Sequence, residues 1–416
     1  MQVLQGIAIL LIPAIGYFFA FNYNKKKEYT IALGLLVVCG FLLRIYTASD
    51  NSLHCWDERY HALVAKHLSS HFLLPTLYEN PLLPFDYKNW TCNHIWLHKQ
   101  PLALWLIAVS LRFFGLHPWA VRLPSVILST FGIKLTYDVA RHLYNRNTAF
   151  ISAFLFSIHG LIIELTAGRT DTDHIDIAFL FFILLGIWSS VNYNIKDGRA
   201  VYTLLIGASI GAAVLTKWLP GIIVLPIWFI LNYGRFPGRK IFKDLLLISL
   251  VAGAIAVPWQ VYTLKQFPLE AQWELLFNKM HFFQPLEGHG GNLLFHFDQL
   301  RITYGELIYL PVIWFLYRTI KYSKRHDIAI AALFAIPYLF YTVAATKMPC
   351  YTLFAAPATF MITAEAYFYF RNATWLPRLM KLIAIFLLLL PIRYAVERIK
   401  PFNSDDDIDA ATERKI

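Results

Sequence analysis

The sequence predicts an all-α polytopic membrane protein with about 12 transmembrane helices. Of its 416 residues, 57% are hydrophobic and 15% are charged, whereas soluble domains are about 45–50% apolar and about 25% charged. The mean hydropathy is +0.50. The apolar residues fall in uninterrupted runs of roughly 17–25, the length that crosses ~30 Å of hydrocarbon. A large soluble protein with many buried helices is disfavoured, because such helices are usually shorter and flanked by polar faces.

Twelve apolar segments are predicted to span the membrane. The first of them has no basic n-region and no A-x-A cleavage site, so we expect a retained span and not a removed signal peptide. The segments are 3–22, 29–48, 118–140, 148–167, 174–192, 200–216, 219–233, 243–260, 303–319, 327–345, 351–369 and 378–396.

The loops between these segments are of two kinds, which alternate along the chain. Short basic loops, such as 25–27 and 235–240, are typical of the cytoplasmic side, so the mixed loops are expected outside. Residues 101–115 are apolar but short, and a crossing there would turn every later basic loop outward. We therefore expect them to form a helix at the outer interface. The predicted organisation is two N-terminal spans (1–48), a first outer loop with interfacial helices (49–117), a transmembrane bundle (118–260), a second outer loop (261–302), C-terminal spans (303–396) and a tail (397–416).

The net charge of +11 comes from short clusters, and no extended basic stripe indicates nucleic-acid binding. The sequence has no Walker loop, Gly-rich dinucleotide turn or cytoplasmic carboxylate cluster. A nucleotide-driven cytoplasmic reaction therefore has no visible site. The residues that can carry chemistry concentrate in the predicted outer loops instead.

An amphipathic helix on the membrane surface is predicted over 57–68. Asp57 and Glu58 open it, where the positive end of the helix dipole favours an ionised carboxylate. Such a group is suited to act as a general base on a hydroxyl, although ordinary acidic capping of a first turn explains the same pair. The apolar face of this helix is expected to carry Tyr60, Leu63, Val64, His67 and Leu68.

Separated cations fall on the same predicted side, and their convergence would build a phosphate site, because lysine and arginine are the usual partners of phosphate. Snorkelling to lipid phosphates is the alternative for Lys99 and Arg122. Arg169 precedes Asp171 and Asp173, whose D-x-D spacing is a weak metal signal, since residues two apart lie ~200° apart on a helix. The cations are Lys99, Arg122, Arg169, Lys217 and Lys347.

Taken together and in order, these residues resemble the C-type glycosyltransferases. More narrowly, they are similar to the branch that contains the lipid A aminoarabinose transferases and the protein O-mannosyltransferases. The resemblance covers roughly residues 40–360, and each motif is weak alone, whereas their order on one topological face is specific. The motifs are Asp57-Glu58-Arg59-Tyr60, Lys99-Gln100-Pro101-Leu102 with Trp105, Arg122-Leu123-Pro124-Ser125, Arg169-Thr170-Asp171, Leu215-Thr216-Lys217, His289, and Lys347-x-x-x-Tyr351 followed by Pro357.

The resemblance implies an inverting transfer of a sugar from a polyprenyl-phosphate donor, such as undecaprenyl phosphate, to a hydroxyl or phosphate of a lipid, glycan or protein. The expected place is the bacterial inner membrane, with the site facing the periplasm, as in modification of lipid A or an envelope glycan. The family's D-E aspartate, its candidate base, corresponds to Asp57, and its phosphate-binding lysine corresponds to Lys99. The full expected set is Asp57 and Asp171 for catalysis, Lys99, Arg122, Lys347 and Tyr351 for the donor phosphate, and Glu58, Arg59, Arg169 and Lys217 in secondary roles.

The chain departs from the family pattern beside the lysine, where Gln100 replaces a proline and His98 replaces an acid. In the aminoarabinose transferases that acid can share a metal with a downstream histidine, whose counterpart here is His289. A divalent metal held by His98 and His289 is one expectation, and polar loop histidines without metal are the other; no other cofactor is expected. Cys55 and Cys92 share the first outer loop, where a disulfide is chemically allowed. The relatives also continue into further helices and an outer domain, which leaves the acceptor class open.

Two other classes of function remain as alternatives. A transporter or lipid flippase would place charges and Gly/Pro breaks at mid-membrane depth in paired halves, whereas here the charges cluster at one boundary. A non-catalytic assembly subunit would not need the set of lysines and carboxylates. Replacement of Asp57 separates both from an enzyme.

Overall fold

The computed structural model describes residues 2–55, 57–80, 82, 84–170 and 174–399, with side chains from Leu10 onward. Within this part of the chain the protein is built of α-helices, and the β-pairing consists of two isolated bridges. Two 3₁₀ helices, Leu219–Ile223 and Pro349–Ala355, interrupt the α-helices. The α-helices are α1 (Gln2–Lys25), α2 (Tyr29–Thr47), α3 (Asp57–Ser70), α4 (Pro101–Phe114), α5 (Pro118–Leu143), α6 (Arg146–Ile158), α7 (Gly160–Thr166), α8 (His174–Ile195), α9 (Ala200–Lys217), α10 (Val224–Asn232), α11 (Gly238–Gln266), α12 (Pro268–Phe283), α13 (Phe295–Tyr304), α14 (Tyr309–Tyr322), α15 (Arg325–Val343), α16 (Ala356–Arg371) and α17 (Pro377–Ile399).

Six helices of the described chain are long and apolar enough to cross a membrane, namely α2, α8, α9, α11, α15 and α17. The pair α6 and α7, bent by 48°, adds a seventh if it is one broken span. The all-helical membrane class is thus confirmed, whereas the count of about 12 spans stays a prediction. Among the other predicted spans, 118–140 falls on α5, which carries Arg122, Lys134 and Asp138, and 219–233 falls on the short stretch Leu219–Asn232.

The antiparallel helices α8 and α9 define two ends of the bundle. At one end, called the site end below, Asp176 in the first turn of α8 pairs with Lys217, the last residue of α9. At the opposite end, Asp197 in the turn between the two helices pairs with Arg235 at 3.3 Å. The basic loop 235–240 therefore lies away from Lys217, as the alternation of loops predicts. The side of the membrane that each end faces stays a prediction.

The broken span α6–α7 is held by a buried arginine. Arg44 of α2 is fully buried and donates to the carbonyls of Ser157 at 3.0 Å and Phe156 at 3.3 Å, next to the break. It also donates to Ser129 Oγ at 3.0 Å. A bent helix leaves carbonyl groups without their usual partners, and in hydrocarbon these must be satisfied by protein. Arg44 supplies the missing donors, and α7 is thereby aimed at the site end.

Helix α3 forms as predicted, but its buried surface is wider than the expected face. Of that face, Val64, His67 and Leu68 are buried, whereas Tyr60 and Leu63 are only partly so. Glu58, His61 and Ala65 are buried as well. The reason is that α4 packs along α3, so the helix buries its inner face against protein. The expected alignment of α3 by one apolar membrane-facing stripe is corrected accordingly.

The loop between α3 and α4 is closed by backbone contacts at its base. Thr76 forms a bridge with Ile95, and His67 Nδ1 lies 2.7 Å from the carbonyl oxygen of Thr76. Cys55 and Cys92, both among the described residues, are not joined by a disulfide. The segment that leads to Lys99 is therefore positioned by its backbone and by packing on α3.

Candidate active site

A cavity of about 710 Å³ opens at the site end, between the starts of α3, α4 and α8, the end of α9, and α12 and α15. Its wall combines aromatic rings with a small number of convergent charges, as ligand sites usually do. Its charged and imidazole residues are Asp57, His98, Lys99, Asp176, Lys217, Lys279, His281, Glu287 and His289. Its aromatic residues are Trp90, Trp218, Phe282, Phe340, Tyr341 and Tyr351.

The first ion pair in this wall joins Asp57 and Lys99. Asp57 is the first residue of α3, and Lys99 precedes α4, whose first residue is the helix-starting Pro101. Lys99 Nζ lies 3.3 Å from Asp57 Oδ2. Burial by itself lowers the pKa of Lys99, but the carboxylates of Asp57 and Glu287 outweigh it and raise the pKa above its usual value. Lys99 is therefore an ammonium ion at neutral pH, and the carboxylate and cation named from the sequence meet in one cavity.

The second ion pair joins Asp176 and Lys217, which interact through Asp176 Oδ1. The Lys217 ammonium also lies over the ring of Tyr351, 4.9 Å from its centroid. Lys217 is close enough to Lys99 for the two positive charges to interact. Two neighbouring lysines can together offer a phosphate a doubly cationic site.

Asp176 was not identified from the sequence. It lies inside the predicted span 174–192, and an ionisable residue within a span is a functional signal by default, so the signal was present. His281 of α12 was also missed. Burial, together with the cations Lys99 and Lys217, lowers the pKa of His281 to about 4, so its imidazole is neutral in the cavity at physiological pH.

Glu58, the neighbour of Asp57, points into the protein and not into the cavity. Its carboxylate is fully buried and accepts from Arg122 Nε at 2.7 Å and Nη2 at 2.9 Å, and from the backbone N–H of His54 at 2.6 Å. Burial alone would raise the pKa of Glu58, but Arg122 and two histidines outweigh it and hold the pKa well below its usual range. Glu58 therefore anchors the start of α3 and leaves Asp57 to face the cavity.

Arg122 has no donor left for the phosphate contact expected from the sequence. Besides its two contacts with Glu58, it donates to the carbonyls of Ala48 at 3.1 Å, Asp50 at 2.7 Å and Ser52 at 2.6 Å. Those bonds use all five N–H groups of a guanidinium. The side chain is fully buried. The expected contact of Arg122 with the donor phosphate is corrected accordingly. Arg122 instead links α5 to the segment before α3.

Lys347 likewise has no donor left for the phosphate contact expected from the sequence. Its Nζ donates to the carbonyls of Tyr341 at 3.1 Å, Thr342 at 2.8 Å and Ala344 at 2.7 Å. These are carbonyls at the end of α15, which a helix leaves unpaired, and a cation is favoured there. All three ammonium hydrogens are thereby engaged, and Lys347 is not part of the cavity wall described above. Tyr351, the partner expected with it, does line the cavity.

Two of the remaining expected residues, Arg59 and Arg169, are not part of the cavity wall. Arg169 donates from Nε to Asp50 at 2.9 Å and from Nη1 to the carbonyl of Arg398 at 3.1 Å, so it links the segment after α2 to α17. Arg59 is half-buried in the first turn of α3. Asp171 lies outside the described residues.

His98 and His289 both line the cavity, and a metal held between them stays a prediction. His98 Nδ1 lies 3.4 Å from Glu274 Oε2, and its ring stacks on Trp90 with centroids 4.9 Å apart. No group of three or more His, Cys, Asp or Glu side chains in the described ranges is arranged to hold a metal ion. We therefore derive no step through a metal.

Comparisons with known proteins show what the chain is similar to. A family model described as dolichyl-phosphate-mannose-protein mannosyltransferase matches residues 98–262, a range that includes Lys99, Asp176 and Lys217. Two solved structures share the fold. ArnT from Cupriavidus metallidurans bound to undecaprenyl phosphate matches with a TM-score of 0.64 and 15% identity over 88% of this chain and 76% of that chain. The oligosaccharyltransferase AglB from Archaeoglobus fulgidus, in complex with an inhibitory peptide and a dolichol-phosphate, matches with 0.58 and 14% over 94% and 59%.

The chain is similar to members of the C-type glycosyltransferase superfamily. Among the relatives, an uncharacterised protein of Aquifex aeolicus is 26% identical over 85% of this chain and 66% of its own length. The undecaprenyl phosphate-α-4-amino-4-deoxy-L-arabinose arabinosyl transferase of Pseudomonas paraeruginosa is 26% identical over 57% and 40%. The putative mannosyltransferase YycA of Bacillus subtilis is 23% identical over 57% and 32%. The chain thus spans between 32% and 66% of the lengths of these three relatives. Glycosyltransferases predominate among the named relatives of this superfamily, so a transporter is not favoured.

Proposed function

We propose that this chain is an inverting glycosyltransferase that moves a sugar from a polyprenyl-phosphate donor to an acceptor hydroxyl or phosphate on the outer face of the membrane. The observation that carries the proposal is the contact of Asp57 with Lys99, 3.3 Å apart in a cavity of about 710 Å³. A base and a phosphate partner meet there at the site end of an apolar helix bundle, where a lipid-linked donor can arrive from the membrane.

Lys99 and Lys217 are the proposed partners of the donor phosphate. In the transfer, the bond between the sugar carbon and the phosphate oxygen breaks, and the bonding electrons leave with the phosphate. The charge that develops on that oxygen is stabilised by cations that are already in place. Lys99, kept protonated by its neighbouring carboxylates, and Lys217, held over Tyr351, provide such charges.

Asp57 is the proposed general base. An acceptor hydroxyl gives its proton to the Asp57 carboxylate while its oxygen attacks the sugar carbon on the face opposite to the phosphate, which inverts that centre. When the phosphate binds Lys99, it replaces Asp57 as the nearest anion of the ammonium, so the carboxylate becomes available for the acceptor. The same cation can therefore hold Asp57 in place before the donor binds and hold the phosphate afterwards.

The proposed setting is the bacterial inner membrane with the site facing the periplasm, and the acceptor is a lipid, a glycan or a protein. The test is a deletion strain analysed by mass spectrometry of its polyprenyl-phosphate lipids. A lipid-linked sugar should accumulate, and the wild-type gene, but not the Asp57→Asn variant, should remove it. Absence of any accumulating lipid, together with no binding of polyprenyl phosphate by the purified chain, would refute the proposal.

A further inference from the structure

Asp176 has a carboxylate oxygen that no described residue satisfies. Its side chain is 4% exposed, and Oδ1 is paired with Lys217. Oδ2 is buried and has no hydrogen-bond partner within the described part of the chain, although the residue lines the cavity. A buried acceptor without a donor is costly, and such atoms in a site are commonly completed by a ligand.

The wall beside Asp176 suits a sugar ring. Tyr351 lies against Lys217, and Tyr341 lies against Tyr351 with ring centroids 4.9 Å apart. Trp218, which follows Lys217 directly, also lines the cavity. Aromatic faces accept the apolar face of a ring, while a carboxylate oxygen accepts the hydrogen of a hydroxyl. The combination suits a ring that has an apolar face and carries hydroxyl donors.

This part of the cavity is poorly suited to the phosphate itself. Asp176 Oδ2 would repel a phosphate oxygen, because both are acceptors with negative charge. The ammonium of Lys99, in contrast, belongs to the other ion pair of the cavity and lies beside Asp57. The two pairs therefore divide the cavity into a phosphate-binding part at Lys99 and a hydroxyl-binding part at Asp176. Lys217 belongs to both parts, because it is paired with Asp176 and its charge interacts with that of Lys99.

We propose that Asp176 binds a hydroxyl group of the transferred sugar and thereby selects a neutral sugar over an amino sugar; this inference rests on the proposed function. The preference for a neutral sugar follows from Lys217, which already balances the charge of Asp176 through Oδ1. A sugar ammonium on Oδ2 would place two cations on one carboxylate, whereas a hydroxyl completes the acceptor without added charge.

The test measures binding to the purified full chain in detergent. The probes are sugar-free polyprenyl phosphate, the same lipid bearing mannose, glucose, galactose or arabinose, and the same lipid bearing 4-amino-4-deoxyarabinose. In the wild type, at least one neutral-sugar lipid should bind roughly tenfold or more tightly than the sugar-free lipid, as a hydrogen bond to a charged group provides. Asp176→Asn should reduce that ratio to about threefold or less, and the sugar-free lipid should still bind.

Glu287→Gln is the matched control, because it removes one carboxylate from the exposed rim of the same cavity. It should change both affinities by the same factor and leave their ratio as in the wild type. If Asp176→Asn fails to fold because Lys217 loses its partner, the double variant Asp176→Leu/Lys217→Met replaces the buried pair by apolar side chains, an exchange that proteins often tolerate. The ratio of affinities should fall in the double variant as well.

The outcomes separate the two proposals. If the wild type binds none of the lipids, including the sugar-free one, the proposed function fails and this inference fails with it. If the wild type binds the sugar-free lipid but no neutral-sugar lipid more tightly, or if Asp176→Asn keeps the full ratio, only the role of Asp176 is overturned. Tighter binding of the amino-sugar lipid than of every neutral-sugar lipid by the wild type overturns the selection of a neutral sugar.

Discussion

Replacing the adjacent acids Asp57 and Glu58 by their amides should give opposite phenotypes. The two residues follow each other at the start of α3, so their side chains point ~100° apart around the helix. Asp57 lines the cavity, whereas Glu58 is fully buried behind it. Asp57→Asn should therefore impair transfer, and Glu58→Gln should impair folding.

The loss of stability in Glu58→Gln can be worked out from its contacts. The variant leaves the guanidinium of Arg122, which is fully buried, without the carboxylate that lies 2.7 Å from its Nε. Breaking a buried ion pair by removing one partner costs about 3–5 kcal/mol. The protein that remains folded should still bind the donor, because neither Glu58 nor Arg122 is part of the cavity wall described above.

The cost of Asp57→Asn to stability should be much smaller. Its partner Lys99 is 23% exposed and lies 3.3 Å away, and partly exposed ion pairs contribute about 1 kcal/mol or less. Asparagine keeps the size and hydrogen bonding of the side chain but not its basicity. Turnover should fall ~10²–10⁴-fold, the usual contribution of a general base, while donor binding survives.

Both variants can be assayed in the same preparation. Thermal unfolding in detergent reports stability, and transfer of labelled sugar from the polyprenyl-phosphate lipid, normalised to folded protein, reports turnover. Near-wild-type transfer by Asp57→Asn, with transfer abolished by Asp171→Asn, would show that the base is assigned to the wrong aspartate. If Glu58→Gln is as stable as the wild type, the buried ion pair of Glu58 with Arg122 does not stabilise the fold as argued.

Four further predictions follow from individual contacts. Lys99→Ala should weaken binding of polyprenyl phosphate by about 1.5–3 kcal/mol; an unchanged affinity would remove Lys99 from the site. Lys347→Ala should instead lower the unfolding temperature, with a loss of roughly 0.3–2 kcal/mol at the end of α15, and should keep that affinity in the same binding assay. Burial alone would lower the pKa of His54, but hydrogen bonds to two carboxylates raise the pKa above its usual 6.5. The stabilisation by protonated His54 is therefore complete below about pH 6.5 and is lost as the pH rises through the raised pKa. Thermal unfolding of the wild type should show this loss of stability, and His54→Gln should lack the pH dependence. In a cysteine-free background, an impermeant thiol reagent applied from the outside should modify Lys88→Cys and not Arg239→Cys, both at exposed positions; the reverse labelling would invert the predicted topology.

The sequence by itself was sufficient for the class of protein, and it named two residues that the structure brings together. Hydrocarbon imposes a minimum length of apolar chain on each crossing helix, so run length and composition indicate a membrane bundle directly. The first turn of a helix favours acids, and phosphate sites use lysine, so Asp57 and Lys99 stood out as residue types at positions where their chemistry is useful. The structure places the two side chains in contact, and their roles stay predictions.

Only the tertiary structure decided which of the other charged residues face the cavity. Arg122 and Lys347 carry the same positive charge as Lys99. Their N–H groups, however, donate to Glu58 and to backbone carbonyls. Asp176, hidden in an apolar segment, meets Lys217 from a helix 41 positions away in the chain. The residue type determines the charge of a side chain. Whether its hydrogen-bonding groups are free depends on which carbonyls and carboxylates the folded chain brings beside it. Buried polar groups must be satisfied within the protein before any remain for a ligand.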